Sequence, residues 1–329
     1  MVISKTPLRI SFFGGGTDYP DFYEEHGGAV LSTSIDKYVY VIVSRMNPLS
    51  DHRYRVAYSK TELVHTVAEI VHPCVRNALQ WLQVESGLEI SVTTDLPARS
   101  GLGSSSSFTV GLLHALHAFH ARLASQERLA CEAIHLEQRV IGEKVGSQDQ
   151  VAAALGGLRQ ITFARTPTFR ADPLPISTAR KAALEEHMLL FFTGVTRLAE
   201  DVLDEQKKRT VQNGPALERM REQVSEAVSI LCDEGRSLEE FGRLLDKAWQ
   251  FKRSLSPKIS SSPIDDAYAC ALERGAYGGK LLGAGGGGFL MVFAPPERHP
   301  ALIEALAPMV AVRVGLEDCG SRIIYLQSS

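Results

Sequence analysis

A glycine- and serine-rich junction, Leu96-Pro97-Ala98-Arg99-Ser100-Gly101-Leu102-Gly103-Ser104-Ser105-Ser106-Ser107, constrains this chain more than any other segment. It follows a run that reads as a strand, Leu88–Thr94, and precedes one that reads as a helix, Phe108–Leu123. Small residues at such a junction let a polyanion reach bare backbone N–H groups, with the positive end of a helix dipole facing it. The serine hydroxyls add donors for phosphate oxygens or ligands for a metal ion. No Lys follows the glycines, so this is not a Walker loop, and Ser106 stands where a dinucleotide fingerprint needs its third glycine. An anion cradle and an ordinary strand-to-helix connection both fit the segment alone.

Composition narrows the partners. The chain of 329 residues has a formal net charge of −3, so nothing pulls it as a whole toward nucleic acid or an anionic membrane. Any phosphate must be met by local groups. Five scattered cysteines without a C-x-x-C pair argue against a disulfide framework and structural zinc. The absence of a membrane-length apolar run or a signal-like core at Met1–Thr6 gives a cytoplasmic expectation.

The pattern along the chain is mixed, which predicts an α+β fold. Strands are expected over Leu8–Phe13, Val30–Ile35 and Lys37–Arg45, the last with both faces apolar, and helices over Glu62–Glu85, Phe108–Leu123 and Gln126–Ile141. Phe163–Pro175 reads as a boundary or excursion. Later come a strand at Met188–Thr193, helices at Ala199–Arg209, Pro215–Glu234, Ser237–Leu255 and Pro300–Met309, and strands at Phe289–Phe293, Val310–Val314 and Arg322–Gln327.

Two further glycine-rich segments lie far from the first: Phe13-Gly14-Gly15-Gly16-Thr17-Asp18-Tyr19-Pro20, and Gly278–Phe289 with its run Gly285–Gly288. Such density marks a place where side chains would collide with another loop or with a ligand. Thr17 and Asp18, short and polar after a glycine turn, are suited to hydroxyls of a bound ligand, while Asp18 also fits a plain turn before Tyr19-Pro20. Glu137 falls on the apolar stripe Ala130, Ala133, Ile134, Ile141 and must find a partner, a metal ion or a basic side chain. Asp149 suits either the N-cap of a helix over Gln150–Leu155 or a site carboxylate. His114, His117 and His120 lie opposite the stripe Phe108, Leu112, Leu116, Phe119, Leu123 and are expected to face solvent, as is Lys207-Lys208-Arg209.

The three glycine-rich segments, in this order, resemble the three motifs of the GHMP kinase superfamily. Pro7-Leu8-Arg9-Ile10 through Asp18 matches the first, Pro97–Ser105 the P-x-x-x-G-L-G-S-S loop, and Lys280–Phe289 the third. The resemblance implies ATP and Mg²⁺ as cofactors. ATP would be bound by Pro97, Arg99, Ser100, Gly101, Leu102, Gly103, Ser104, Ser105 and Ser106, with Gly283, Gly285, Gly286 and Gly287 as the third loop. Ser105 and Glu137 would ligate the metal. Asp149 would orient or deprotonate the attacking hydroxyl, with Arg9 beside it neutralising the transferred phosphoryl. It also implies a two-domain fold: an N-terminal domain over 1–186 like the second domain of ribosomal protein S5, and a ferredoxin-like C-terminal domain over 187–329.

Within the superfamily, Arg9–Phe12, Gly14–Asp18, Glu25–Val30, Ile35–Val39 and Gly278–Phe289 are most similar to bacterial D-glycero-D-manno-heptose 7-phosphate kinases. L-fucose kinase domains share much of this wording, whereas galactokinases differ where Gly15-Gly16 replace Glu-His. The implied reaction is transfer of the ATP γ-phosphate to the C1 hydroxyl of a heptose 7-phosphate, supplying nucleotide-activated heptose for capsule, S-layer or lipopolysaccharide synthesis. A kinase for an unphosphorylated sugar and a non-catalytic sugar and ATP sensor are the alternatives. Thr17, Asp18 and Lys37 would bind the substrate, and Lys37, Arg45, Arg53 and Arg197 are the candidates for its phosphate, Lys37 fitting a plain strand cap as well. Partners would be the sugar phosphate and ATP, with no nucleic acid and no membrane, and a homodimer is compatible with this.

Overall fold

The computed structural model describes all residues except 85, 165–168, 196–209 and 328–329, with no side-chain detail at 210–213. The expected helix Ala199–Arg209, the run Lys207-Lys208-Arg209 and Arg197 therefore lie outside the described residues.

Two antiparallel-rich sheets carry the fold. The larger is organised on two long strands, β1 (Val2–Phe13) and β2 (Gly28–Arg45), paired along nearly their whole length. β2 unites two segments expected as separate strands. Its buried Val39, Val41 and Val43 alternate with half-buried Tyr38, Tyr40 and Ile42, so this stretch is fully buried on one face, not two. The strand order is β13 (Arg322–Leu326), β1, β2, β5 (Leu88–Thr94), β3 (Tyr54–Ala57), β4 (Thr61–Val64). Beside this path β2 also pairs β12 (Leu316–Glu317) and β6 (Leu158–Phe163), which forms a hairpin with β7 (Phe169–Pro173). The region expected to be helical over Glu62–Glu85 holds β4 and only a short helix, α2 (Pro73–Trp81), because Pro73 starts a helix rather than continuing one.

The second sheet runs β11 (Val310–Val312), β8 (Met188–Phe192), β10 (Phe289–Phe293), β9 (Gly278–Leu281). Its first strand begins at Met188, while β12 and β13, near the chain end, return to the first sheet.

Helix α1 (Pro20–His26) follows the first glycine turn. Helix α3 (Ser104–Phe119) lies on β1 and β2, tied by Ser4 Oγ donating to the Gly111 carbonyl (2.8 Å) and Ser107 Oγ to that of Pro7 (2.8 Å). α4 (Gln126–His135) packs on α3, and α5 (Gln148–Leu155) on both. This covers α3 on most sides. His117 is therefore 1% exposed, bonded to Glu132 (2.6 Å), and His114 is half-buried against Ser321 (3.0 Å), contrary to the solvent-facing expectation; His120 alone is exposed. α6 (Thr178–Glu186) leads into β8.

The second sheet is backed by α8 (Leu238–Ser254) and α9 (Ser262–Glu273), with α10 (His299–Ala305) against α9, whereas α7 (Thr210–Cys232) lies on α8 and on β1 and β2 of the first sheet. α8 begins with a full capping box, Ser237 and Glu240. Its Phe241 stacks edge-on against Phe12 (5.5 Å) and Phe13 (5.3 Å) at the end of β1 and meets Phe293 of β10 (5.3 Å). The two sheets thus share one aromatic junction directly beneath the glycine loops.

Candidate active site

The serine loop ends in a left-handed Gly103, and α3 starts at Ser104 rather than at the expected Phe108. The serines therefore form its first turn. The amides of Ser104, Ser105 and Ser106 precede the first intrahelical bond, Ser107 N–H to the Gly103 carbonyl (2.9 Å). Pro97 and Arg99 are exposed, while Ser100 and Leu102 are buried: the Ser100 carbonyl accepts from Phe289 N–H (3.1 Å) and the Leu102 carbonyl from Arg9 N–H (3.0 Å).

The glycines of the third loop answer to other backbone. A Cβ on Gly283 (φ +75) would stand 2.5 Å from the Gly101 Cα, and one on Gly285 or Gly287 would meet the Ile259 or Val195 carbonyl at 2.8 or 2.7 Å. Gly286 N–H donates to the Ile259 carbonyl (2.9 Å). The third loop is thus a backbone support pressed against the serine loop.

Arg9, on β1, is buried and clamps Asp149 through two parallel bonds, Nε to Oδ1 (2.7 Å) and Nη2 to Oδ2 (2.6 Å). Its Nη1 donates to the Gly101 carbonyl (2.7 Å). Asp149 sits in the first turn of α5, whose N-cap position is taken by Ser147, so its carboxylate is free of capping duty. Each carboxylate oxygen keeps a lone pair beyond the one given to Arg9.

Glu137 is 1% exposed, as its stripe position implied. The helix widens after α4 into a π-turn over Leu136–Ile141, a feature that often marks functional sites, and this aims Glu137 at the start of α3. Its Oε2 accepts from Ser106 Oγ (3.0 Å) and from the Gln150 amide, while Oε1 is buried without a hydrogen bond. Burial pushes the carboxyl up to about 7, against hydroxyl and amide groups of Thr109, Gln150 and Ser106 that favour its ionised form. A buried carboxylate with one unpartnered oxygen and a serine hydroxyl beside it is an all-oxygen donor set that suits Mg²⁺. The serine that reaches it is Ser106; Ser105, the expected ligand, is exposed, because a helix begun at Ser104 turns it outward.

Two expected acceptor contacts fall elsewhere. Thr17 is 0% exposed, and its hydroxyl is consumed by donating to the Gly14 (2.8 Å) and Ala29 (2.9 Å) carbonyls and accepting from Ala29 N–H (3.1 Å). It pins the glycine turn and does not face a sugar. Lys37 pairs with its neighbour Asp36 (2.8 Å). Arg45 lies beyond Val43, which pairs with Val2, whereas Arg9 pairs with Ser34, so Arg45 is on the order of 30 Å along the strand from the site. Arg53 joins that same end, through its carbonyl and Leu88 N–H (3.0 Å). Asp18 does lie at the site, buried, accepting from Gly16 N–H (2.9 Å) and Gln148 N–H (3.3 Å). Burial raises its carboxyl, and the charge of Asp149 adds to this.

The structure adds residues that sequence reasoning passed over. Tyr19 stands where the charges of Asp18, Asp149 and Arg9 all act on its hydroxyl. Ser11 Oγ and Gln148 Oε1 are buried and unpartnered, on two side chains that lie against Gly15. Lys252 brings a buried ammonium to the Gly283 carbonyl. Its signal was present: Phe241, Leu244, Leu245, Ala248 and Lys252 share one helical stripe.

An anion cradle at a helix N-terminus, a clamped carboxylate beside it and a cation-ready carboxylate behind it define a site for phosphoryl transfer between small molecules. The comparisons agree. The description "GHMP kinases N terminal domain" matches residues 59–157, and "GHMP kinases C terminal" matches 216–308. D-glycero-alpha-D-manno-heptose 7-phosphate kinase of Campylobacter jejuni is 30% identical over 92% of this chain and 92% of its own. The chain belongs to the GHMP kinases. Among solved structures, a D-glycero-D-manno-heptose 1-phosphate kinase from Bacteroides thetaiotaomicron covers 100% of both chains at 24% identity and a TM-score of 0.78. Streptococcus pneumoniae phosphomevalonate kinase, in complex with phosphomevalonate and AMPPNP, covers 98% of this chain and 100% of its own at 16% identity and a TM-score of 0.74. No described helix is long and apolar enough to cross a membrane.

Proposed function

We propose that this protein transfers the γ-phosphoryl group of ATP to the C1 hydroxyl of D-glycero-D-manno-heptose 7-phosphate, giving the 1,7-bisphosphate. The observation that carries the reading is the Arg9–Asp149 clamp against Gly101 of the anion cradle: a carboxylate with free lone pairs is held where donor and acceptor must meet. The name of the Campylobacter jejuni relative supplies the sugar.

In the transfer, the acceptor oxygen forms its bond to the γ-phosphorus as the bond to the β,γ-bridging oxygen breaks, and ADP leaves with that electron pair. Asp149 accepts the hydrogen bond of the attacking hydroxyl, aligns it and receives its proton. Arg9 keeps Asp149 in place and offsets charge on the transferring group. The amides of Ser104–Ser106 hold phosphate oxygens, a role that requires no lysine in the loop. Glu137 and Ser106 would hold Mg²⁺, which supplies charge neutralisation at the phosphates when bound. The reading places the protein where ATP is abundant, in the cytoplasm.

A coupled ADP-release assay with heptose 7-phosphate, mannose and L-fucose tests this. Turnover is expected with heptose 7-phosphate. Turnover with fucose alone assigns an unphosphorylated-sugar kinase, and none with any sugar leaves a sensor.

A further inference from the structure

Lys252 occupies the last turn of α8 and is 8% exposed. Among the described residues its ammonium has one hydrogen-bond acceptor, the Gly283 carbonyl, and no carboxylate within ion-pair distance. An ammonium carries three donors, and burying one without an ionic partner is costly. A lysine near a helix C-terminus gains from the dipole, but that gain needs no burial.

Its position explains the cost. Arg9 is anchored on the Gly101 carbonyl and Lys252 on that of Gly283, and these two glycines pack so closely that neither admits a Cβ. The two cations therefore flank one contact between the serine loop and the third glycine loop. Their charges act on each other, and Asp18 acts on Lys252 from the first glycine turn. Lys280 of β9, donating to the Ser11 (3.0 Å) and Phe12 (2.9 Å) carbonyls, lies beside them, and burial, then the charges of Lys252 and Arg9, pull it well below its ordinary range. Among the described residues the charges acting on Lys252 are those of Arg9 and Asp18, and Asp149 is already committed to Arg9, so Lys252 has no ion pair of its own. A buried ammonium without an ion pair, anchored beside the serine loop, calls for an anion that arrives with the substrate.

We propose that Lys252 binds a non-bridging oxygen of the terminal phosphate of the nucleotide, opposite Arg9, and keeps that contact as the phosphoryl group passes to the acceptor. This rests on the kinase reading above. Lys252 then supplies from the C-terminal domain the cation that the serine loop lacks. Arg9, tied to Asp149 and Gly101, cannot turn to follow the group; a lysine on a four-carbon stem can.

Calorimetric titration of the Mg²⁺-supplemented protein with AMPPNP and with ADP tests the contact, using K252Q, K252M and K252R. K252Q keeps a donor for Gly283 and loses the charge; K252M serves as a second neutral variant where K252Q folds poorly. The neutral variants are expected to lose about tenfold to a hundredfold of AMPPNP affinity with ADP affinity nearly unchanged, and K252R to retain most of it. A purely structural lysine would not alter this ratio. Wild-type ratios and turnover in both neutral variants would overturn the assignment. If the wild type binds AMPPNP yet phosphorylates none of the sugars, the acceptor reading fails while the titration still decides Lys252. No AMPPNP binding by the folded wild type would remove the kinase reading and Lys252's role with it.

Discussion

Ser106 Oγ donates to Glu137 Oε2 at 3.0 Å, joining the first turn of α3 to the π-turn that follows α4. Ser105, one residue earlier, points to solvent. The two serines therefore make opposite predictions. S106A should raise the Mg²⁺ concentration for half-maximal turnover about tenfold or more, the usual scale for loss of a group that holds a metal ligand, and S105A should change it little. Magnesium titrations of the two variants read this directly; the reverse ranking would return the metal to Ser105.

Glu137 sets a second test through its charge. Its carboxyl stands at about 7 in the fold against an ordinary 4.5, so the fold favours the protonated form. That contribution to stability is complete below about 4.5 and is lost as pH rises through about 7. At mildly alkaline pH the metal-free protein thus holds an uncompensated buried carboxylate, which Glu137→Gln removes at constant shape. The variant should melt higher than the wild type in EDTA at about pH 8, with the gap closing toward pH 5. Added Mg²⁺ and AMPPNP should raise the melting temperature of the wild type far more than that of the variant.

Asp149→Asn keeps one oxygen for Arg9 and loses the base. Turnover should fall on the order of 10²-fold or more, with nucleotide affinity preserved. Arg9→Lys cannot reproduce two parallel bonds to Asp149 and a third to Gly101, so it should impair turnover although charge is kept. Circular dichroism and AMPPNP titration would separate these losses from misfolding. Near-normal turnover in D149N would remove Asp149 from the chemistry.

Much of this site was legible in the chain because it rests on periodicity and backbone freedom. Glu137 on an apolar stripe had to be buried, and clustered glycines had to mark close approach. What was not legible depended on where elements begin. The serines lie inside the first helical turn rather than before it, which exchanges Ser105 for Ser106 at Glu137. Thr17 faces inward because β2 starts at Gly28 and brings the Ala29 backbone against it, a long-range pairing that no local pattern announces. A helical wheel of α3 shows one apolar stripe but neither α4, whose Glu132 buries His117, nor the chain end at Ser321, which half-buries His114.

Lys252 predicts an alkaline limit. Burial, then the charge of Arg9, draw its ammonium down to about 8, with Asp18 opposing. Lys280 of β9, beside it, is drawn well below its ordinary range, first by burial and then by the charges of Lys252 and Arg9. The charged form of Lys252 binds phosphate, so on the alkaline side kcat/KM should fall as pH rises through about 8. Bound phosphate favours the ammonium, so the corresponding limb in kcat should lie at higher pH. Lys252→Arg, which does not deprotonate in this range, should abolish the limb. An unchanged profile in K252R would place the titrating group elsewhere.

Thr17 tests the division between holding the glycine turn and touching the sugar. Its hydroxyl makes three bonds to the Gly14 and Ala29 backbone and none outward. Thr17→Val keeps the volume and leaves the Gly14 carbonyl its bond from Thr17 N–H, but it takes the hydroxyl acceptor from the buried Ala29 N–H, at about 1–3 kcal/mol for an unsatisfied buried group. The variant should therefore lose stability in denaturant melts. Because the turn also carries Asp18, whose carboxylate bonds Gly16 N–H, some rise in KM for the acceptor would accompany loosening of the turn. Thr17→Ser, which restores the hydroxyl, should recover both together. A direct sugar contact would instead leave stability untouched in Thr17→Val while raising KM alone, and that split would return Thr17 to the acceptor site.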